Sequence, residues 1–307
     1  MRAAFIQTLR ELAAEDPRIV LLTGDLGYLA LEPFAEQFPE RFFNVGVAEQ
    51  NMVGLATGLA EAGFHPYIYS IVPFVTLRPY EFIRNGPIHH RLPVRIVGVG
   101  GGFEYATNGI SHYGLEDIGV MRIQPGISVV APADSLQART CFQKMKDTPG
   151  PVYFRIGKDN KTEVPGLDGR FSLDEIPLIR EGKDLLLLTM GSISSSVAEV
   201  GTRLQSQGIS TTIGVIAALA PVPLAALLGL LKQFPAVMTI EAHFQNGGIG
   251  SLVAEIIAEE GVPCRLKRCG VNRQPDGKTG NQEFMHSQHH LSIDDLVQSS
   301  MNLLKKF

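Results

Sequence analysis

Glu49 stands at the mouth of an unusually apolar stretch. RFFNVGVAEQNMVGLATGLAEAG, from Arg41 to Gly63, reads as a strand, a tight turn at Gly46 and a long helix rich in small residues. Two readings of the acid follow from its position. An acid in the first turn of a helix is favoured by the helix dipole and need do nothing more. A carboxylate shielded from water holds a proton more readily and can share it with a bound base. His112, in the glycine turn GISHYG, serves a site or a surface equally well. Asp25, in GDLG, closes the first strand at its carboxyl end, where α/β proteins form ligand crevices; a simple turn or cap aspartate fits there equally. Further on, His243 in EAHFQNGG reads as structural or as part of a subunit contact. His286, His289 and His290 form a cluster whose spacing matches no closed zinc pattern and reads better as a polar helix start. No metal-ligand set is read in the chain.

These residues need a scaffold, and the sequence supplies one. Strand patterns at Ile19–Leu22, Phe42–Asn44, His65–Tyr69, Val94–Val99, Ser128–Ala131 and Val152–Arg155 alternate with helical patterns at Ala3–Glu15, Glu49–Ala62, Phe74–Asn85, Leu115–Met121 and Ser135–Lys146. Such alternation predicts a mostly parallel sheet with helices on both faces. Continuous apolar runs such as VRIVGVG suit strands buried on both sides. Residues 158–182 are polar and turn-rich and read as a linker with a short strand near its end. The alternation then resumes: strands in DLLLLTMG, STTIGVIA, AVMTIEA and PCRLKRCGV, with helices at Ser194–Gln207, Leu224–Phe234, Ile249–Glu260 and Ile293–Phe307. The expectation is an α/β chain of two domains, each a mostly parallel sheet flanked by helices.

Composition narrows the function classes. The chain has 307 residues, of which 45% are hydrophobic, ample for two cores. A formal net charge of −4 offers no basic surface for nucleic acid or anionic lipid. The N-terminus, MRAAFIQTLRELAAEDPR, reads as an amphipathic helix rather than a signal peptide. No run reaches the roughly 20 apolar residues of a membrane span. Cys141, Cys264 and Cys269 have neither metal nor disulfide-framework spacing, which fits reduced thiols in a cytoplasmic protein.

Taken in order and spacing, VLLTGDLG, PERFFNVGVAEQNMVGLATGLAEAG, FVTLRPYEFIRN, GISHYGLEDIGVMR, VVAPAD and GPVYFRIGK resemble the pyrimidine-binding domain of transketolase. TIEAHFQNGGIGSLVAEIIAEEG resembles the C-terminal domain of the same family, so the resemblance covers nearly the whole chain. It implies a thiamine diphosphate-binding pyrimidine domain at residues 1–157, the linker at 158–182 and a transketolase C-terminal domain at 183–307. It also implies roles. In the family, Glu49's counterpart hydrogen-bonds N1′ of the aminopyrimidine of thiamine diphosphate, favouring the imino tautomer that removes the proton from thiazolium C2. Phe74 matches the aromatic that packs on that ring, though core packing is the commoner use of a phenylalanine. Arg78, four residues on and on the same helical face, would lie near cofactor and partner; otherwise it is a solvated surface arginine. His112 matches the histidine of the family's GPTH turn, which faces the reacting carbons. Asn108 stands in the place of an aspartate that holds a sugar hydroxyl, Lys158 in that of a phosphate-binding arginine, and Asp25 joins them on the substrate side.

The resemblance also implies what is missing. The family holds the diphosphate and its Mg2+ on a separate domain bearing GDG and a downstream Asn ligand, and this chain has no GDG. It is therefore expected to hold half of the site. A separate diphosphate-binding subunit would supply the Mg2+ ligands in an α2β2 assembly, with self-dimerisation and with GLATGLAEAG as a close-packed interface helix. Three departures bear on substrate. A substrate-contacting histidine of the family falls at Gly100 or its neighbours, a phosphate-gripping serine falls in GYLALEP, which has none, and Lys158 replaces an arginine. The expected function is transfer of a two-carbon ketol unit from a ketose donor to an aldehyde acceptor other than the usual phosphorylated pentose. The alternatives are a deoxyxylulose-phosphate synthase-like decarboxylating subunit, a 2-oxoacid dehydrogenase beta-like subunit, and a catalytically silent scaffold. GISHYGLEDIGVMR resembles the dehydrogenase turn least. Retention of Glu49, Phe74 and His112 together argues against the scaffold.

Overall fold

The computed structural model describes residues 1–305. The first domain contains β1 (Ile19–Thr23), β2 (Phe42–Asn44), β3 (His65–Ile71), β4 (Arg95–Val99), β5 (Ser128–Val130) and β6 (Val152–Ile156). Its helices are α1 (Arg2–Glu15), α2 (Glu32–Gln37), α3 (Glu49–Glu61), α4 (Val72–Thr76), α5 (Tyr80–Ile83), α6 (Asp117–Arg122) and α7 (Ser135–Met145). The second part contains β7 (Leu178–Arg180), β8 (Leu185–Thr189), β9 (Thr211–Val215), β10 (Ala218–Ala220), β11 (Ala236–Phe244) and β12 (Arg265–Val271). Around these strands lie α8 (Ser194–Ser206), α9 (Leu224–Leu231), α10 (Ile249–Glu259), α11 (Gln282–Gln288) and α12 (Ile293–Leu304).

Two sheets result, with strand orders β10-β5-β6-β4-β3-β1-β2 and β12-β11-β8-β9-β7. Every pairing is parallel except those of the edge strands β10 and β7. Apolar strands without alternation are covered on both sides, as expected for parallel sheets. In the first sheet Leu21, Tyr67, Tyr69, Val97 and Phe154 point to the face packed by Phe5 and Leu9 of α1 and by Phe142 of α7. The intervening Val20, Leu22, Ile68, Ile96 and Tyr153 point the other way, onto Met52, Val53 and Ala56 of α3.

Several expectations change. The single helix expected at Phe74–Asn85 is broken. Pro79 caps α5, leaving Leu77 and Arg78 in the turn after α4, and a π-turn at Arg84–Ile88 contains Pro87. Proline lacks the amide and the room to continue a helix. The helix expected at Leu115–Met121 is displaced to Asp117–Arg122. The short strand expected late in the linker is β7, antiparallel to β9. Helices α2 and α11 escaped the pattern, and so did β10. That strand comes from beyond β9 yet pairs with β5 at Ala218↔Val130 and Ala220↔Val129, closing the edge of the first sheet. The last helix ends at Leu304, and its expected final residues, 306–307, lie outside the described residues.

The topology positions the site. The residues singled out above lie just past the carboxyl ends of strands: Asp25 past β1, Glu49 past β2, Phe74 past β3, His112 past β4 and Lys158 past β6. Apart from the exchange of the first two, the strands follow the same order across the sheet. A row in sequence therefore becomes a row along one rim.

Candidate active site

Glu49 is the first residue of α3, and Ala48 before it offers no side-chain cap. The carboxylate is 2% exposed, yet it is not an acid alone among hydrocarbons. Oε2 is ion-paired with Arg78 Nη1 at 3.0 Å, and Oε1 accepts from Ser70 Oγ, the last polar group of β3, at 3.3 Å. Glu49 is thus shielded from water as the second reading expects, but by a cation and a hydroxyl as well as by apolar groups. Gly24 gives the acid room, since a Cβ there would lie 3.3 Å from Gly46 O and 3.5 Å from Glu49 Oε1.

The Arg78 guanidinium also lies over the Phe74 ring, 3.9 Å from its centroid. The helix break at Pro79 thus does not separate the two side chains; Arg78 reaches back from the turn. Phe74 is half-buried, and its ring meets His112 edge to face at 5.0 Å and 67°. Burial, and secondarily the Arg78 charge, pushes the His112 imidazole below its ordinary pKa, so it stands neutral at neutral pH. Its Nδ1 lies 3.0 Å from Ser111 Oγ. Beyond His112 the Tyr105 ring lies at 6.1 Å, and Lys158 Nζ sits 4.4 Å from the Tyr105 centroid. One continuous path of contacts therefore joins Glu49, Arg78, Phe74, His112, Tyr105 and Lys158.

Asn108 is exposed on the same glycine-rich loop as His112, and its Oδ1 accepts only weakly from Thr107 Oγ1, at 3.4 Å. Asp25 sits at the other end of the row with a left-handed backbone, φ 59°. Its Oδ1 accepts from Asn44 Nδ2 at 2.9 Å and from the Tyr28 hydroxyl at 3.1 Å, and these donors hold its carboxyl below the usual carboxylate range. Asn44 Oδ1 in turn accepts from the amides of Asp25 and Gly46, stapling the ends of β1 and β2. Sequence reasoning missed Ser70, Tyr105 and Asn44. Each left a faint mark, as a lone polar or aromatic residue at a strand end or inside GVGGGFEYA.

The histidines of the second domain lie elsewhere. His243 is wholly buried between the domains. Its Nε2 accepts from Gly119 N at 3.3 Å, which leaves Nδ1 to donate to Phe244 O at 2.7 Å, and burial lowers its pKa to about 4. The polar helix start expected at His286–His290 is wrong. His286 and His289 are buried under the His112 loop, both rings packing on Phe103, and burial lowers the His286 pKa to about 4.

Exposed apolar side chains flank the row. Tyr28, Val47, Leu77 and Ile110, each within three residues of Asp25, Glu49, Arg78 or His112, are 70%, 70%, 41% and 63% exposed. On α3, Gly54, Leu55 and Gly58 also face outward. Two clefts of the chain run between its domains, one beside Glu116 and Arg273 and the other beside Glu104 and His286, and neither includes Glu49 or Phe74. The chain thus offers a buried acid, an aromatic face and an imidazole on an open wall, which fits the aminopyrimidine half of thiamine diphosphate. Among the described residues no three His, Cys, Asp or Glu side chains are placed to hold a metal ion.

Comparison with known proteins bears directly on this half-site. The family described as "Transketolase, pyrimidine binding domain" matches residues 1–163, and "Transketolase, C-terminal domain" matches residues 174–290. The chain is 32% identical to an apulose-4-phosphate transketolase subunit of Actinobacillus succinogenes, over 89% of this chain and 88% of that protein. It is 31% identical to a 6-deoxy-6-sulfo-D-fructose transketolase subunit of Clostridium sp., over 100% and 95% respectively. It is 35% identical to 1-deoxy-D-xylulose-5-phosphate synthase of Mycolicibacterium gilvum, over 86% of this chain but 42% of the synthase. Among solved structures, one described as "Split gene transketolase, inactive beta4 tetramer" superposes with a TM-score of 0.88 at 34% identity, covering 99% of this chain and 97% of that one. With both domain families matched in order and relatives of equal length encoded as separate subunits, this chain belongs to the transketolase family and corresponds to the pyrimidine-binding and C-terminal half of a split enzyme.

Proposed function

We propose that the chain is the pyrimidine-binding subunit of a thiamine diphosphate-dependent ketol transferase, active only when a separate subunit supplies the diphosphate and Mg2+ site. The observation that carries this reading is the contact path Glu49–Arg78–Phe74–His112 laid on an open apolar wall. The cofactor, when bound, supplies a carbon nucleophile that carries the two-carbon unit between ketose and aldehyde. Glu49 holds and shares a proton at N1′ of the pyrimidine, and its burial keeps water from competing for that proton. Phe74 packs against the ring. Arg78, paired with Glu49 and lying over the Phe74 ring, would flank the bound heterocycle. His112, neutral at pH 7, accepts or returns a proton at a substrate hydroxyl, while Asn108 and Asp25 orient the sugar. Lys158 presents a single point charge rather than a planar fork, which supports an acceptor other than the usual phosphorylated pentose.

The exposed stripe of α3 and the surrounding apolar residues are where the partner subunit packs, and two copies of each chain complete the assembly. Reconstitution with that partner, the cofactor and Mg2+ should yield ketose formation that depends on an aldehyde. Efficient turnover of ribose 5-phosphate would remove the acceptor assignment. The 35% identity to a synthase favours a second reading, decarboxylation of pyruvate. Carbon dioxide release from pyruvate in the same mixture would establish it in place of the first.

A further inference from the structure

The loop bearing Tyr105, Asn108 and His112 leaves β4 at Gly100 and is closed at its foot by two bonds. Gly102 N donates to Gly114 O at 2.7 Å, and Gly114 N donates to Gly102 O at 3.0 Å. Under this closure lies Arg155, on β6 and only 5% exposed. Its Nη2 donates at 2.8 Å to Gly114 O, the foot of the loop, and at 2.8 Å to Ala242 O, on β11 of the second domain. Its Nε lies 3.0 Å from Asp117 Oδ2 at the start of α6, an ion contact whose N–H is not aligned on the carboxylate. The Tyr153 hydroxyl donates to that same oxygen at 2.7 Å. Gly101 makes the approach possible, because a Cβ there would lie 2.4 Å from Nε. The inward side chains of the loop, Phe103 and Tyr113, are buried, and the Phe103 ring stacks on His289 of the second domain at 5.1 Å.

A merely structural ion pair would need Asp117 alone. Here one nitrogen of the guanidinium bonds two carbonyls, one in each domain, and so sets the distance between the His112 loop and β11. Lysine, a point charge on a flexible stem, cannot hold both carbonyls and the Asp117 contact in one fixed fork. We propose that Arg155 is a positioning residue for His112, and that through it the second domain serves the reaction without touching substrate. The proposal rests on the assignment of His112 to the site.

The test compares wild type, Arg155→Lys and Tyr153→Phe by amide hydrogen exchange of the folded chain and by kinetics of the reconstituted holoenzyme. In Arg155→Lys, amides of residues 102–114 should exchange about tenfold faster or more while those of α3 and β1 to β3 keep their wild-type rates. Turnover should fall by about 10- to 100-fold with KM for the ketose donor little changed, as expected when a group is misplaced rather than lost. Unchanged exchange at 102–114, or acceleration spread evenly over the chain, would overturn the proposal. If the wild-type complex transfers no ketol unit, the functional reading fails and the exchange result alone still decides whether Arg155 holds the loop. Should Arg155→Lys not fold, Tyr153→Phe, which removes only the hydroxyl on Asp117, should loosen the same residues to a smaller extent; wild-type exchange there would count equally against it.

Discussion

Glu49→Gln isolates the proton-sharing role because it changes almost nothing else. The amide has the size of the acid, and its oxygen can still accept from Ser70 or Arg78. The ion pair is lost, but Arg78 is 44% exposed, so water already screens that attraction to about 0.5–1 kcal/mol. Relief of a buried charge works in the opposite direction. The net change in stability should stay within about 1 kcal/mol, roughly 2 °C in melting temperature for a chain of this length. An amide cannot share a proton with the pyrimidine, and loss of positioned acid–base catalysis is worth about 10²- to 10⁴-fold, or roughly 3–5 kcal/mol of barrier. The assay is ketol transfer by the chain reconstituted with its partner, cofactor and Mg2+, alongside thermal melting and light scattering. A variant that melts and assembles normally yet loses at least two orders of magnitude supports the assignment. Turnover within threefold of wild type would refute it and leave the acid as an ordinary first-turn residue. Glu49→Ala is less informative, since it also opens a cavity.

Phe74→Ala should weaken cofactor binding by at least about 0.5–1.5 kcal/mol, roughly two- to tenfold or more in calorimetric Kd, because the ring is half-buried beside the site; an unchanged Kd would place the ring outside the cofactor contact. Gly58→Leu should leave the free chain folded and slightly more stable, since a Cβ there meets nothing within 4 Å and glycine costs a helix about 1 kcal/mol. The same variant should fail to assemble with its partner by light scattering, and full assembly would show that this stripe of α3 is not the interface. For pH, the folded pKa of His286, about 4, lies below its unfolded value near 6.5, so its contribution is whole above pH 6.5 and is lost as pH falls towards 4. His286→Phe should flatten stability against pH in that window by about 1.4 kcal/mol per unit, read from urea unfolding at pH 5, 6 and 7; identical slopes would show that His286 is not held neutral.

Much of this site was legible because parallel sheets place function at strand ends. Once β1 to β4 and β6 were read from apolar runs, Asp25, Glu49, Phe74, His112 and Lys158 had to fall on one rim. What was not legible depends on contacts rather than periodicity. The Arg78–Glu49 pair forms because Pro79 ends the preceding helix and lets the arginine turn back, and a helical-face argument reaches the right neighbour for the wrong reason. His286 and His289 looked polar because their burial comes from Phe103, more than 180 residues earlier in the chain. Arg155 looked like any charged residue in a strand, since its three partners come from the loop foot, from α6 and from β11. Strand β10 is only three residues, Ala-Leu-Ala, recognisable only by its partner β5.

That short strand has a consequence for how the molecule can be divided. Cutting the chain in the connector after β6 would strip β5 of the neighbour bonded to Val129 and Val130 and leave a naked edge ready to recruit any other extended chain. The first sheet is complete only once synthesis has passed residue 220. A break in the connector between the two domains would therefore part β10 from β5, and the first sheet needs the chain from α1 through β10 to be continuous.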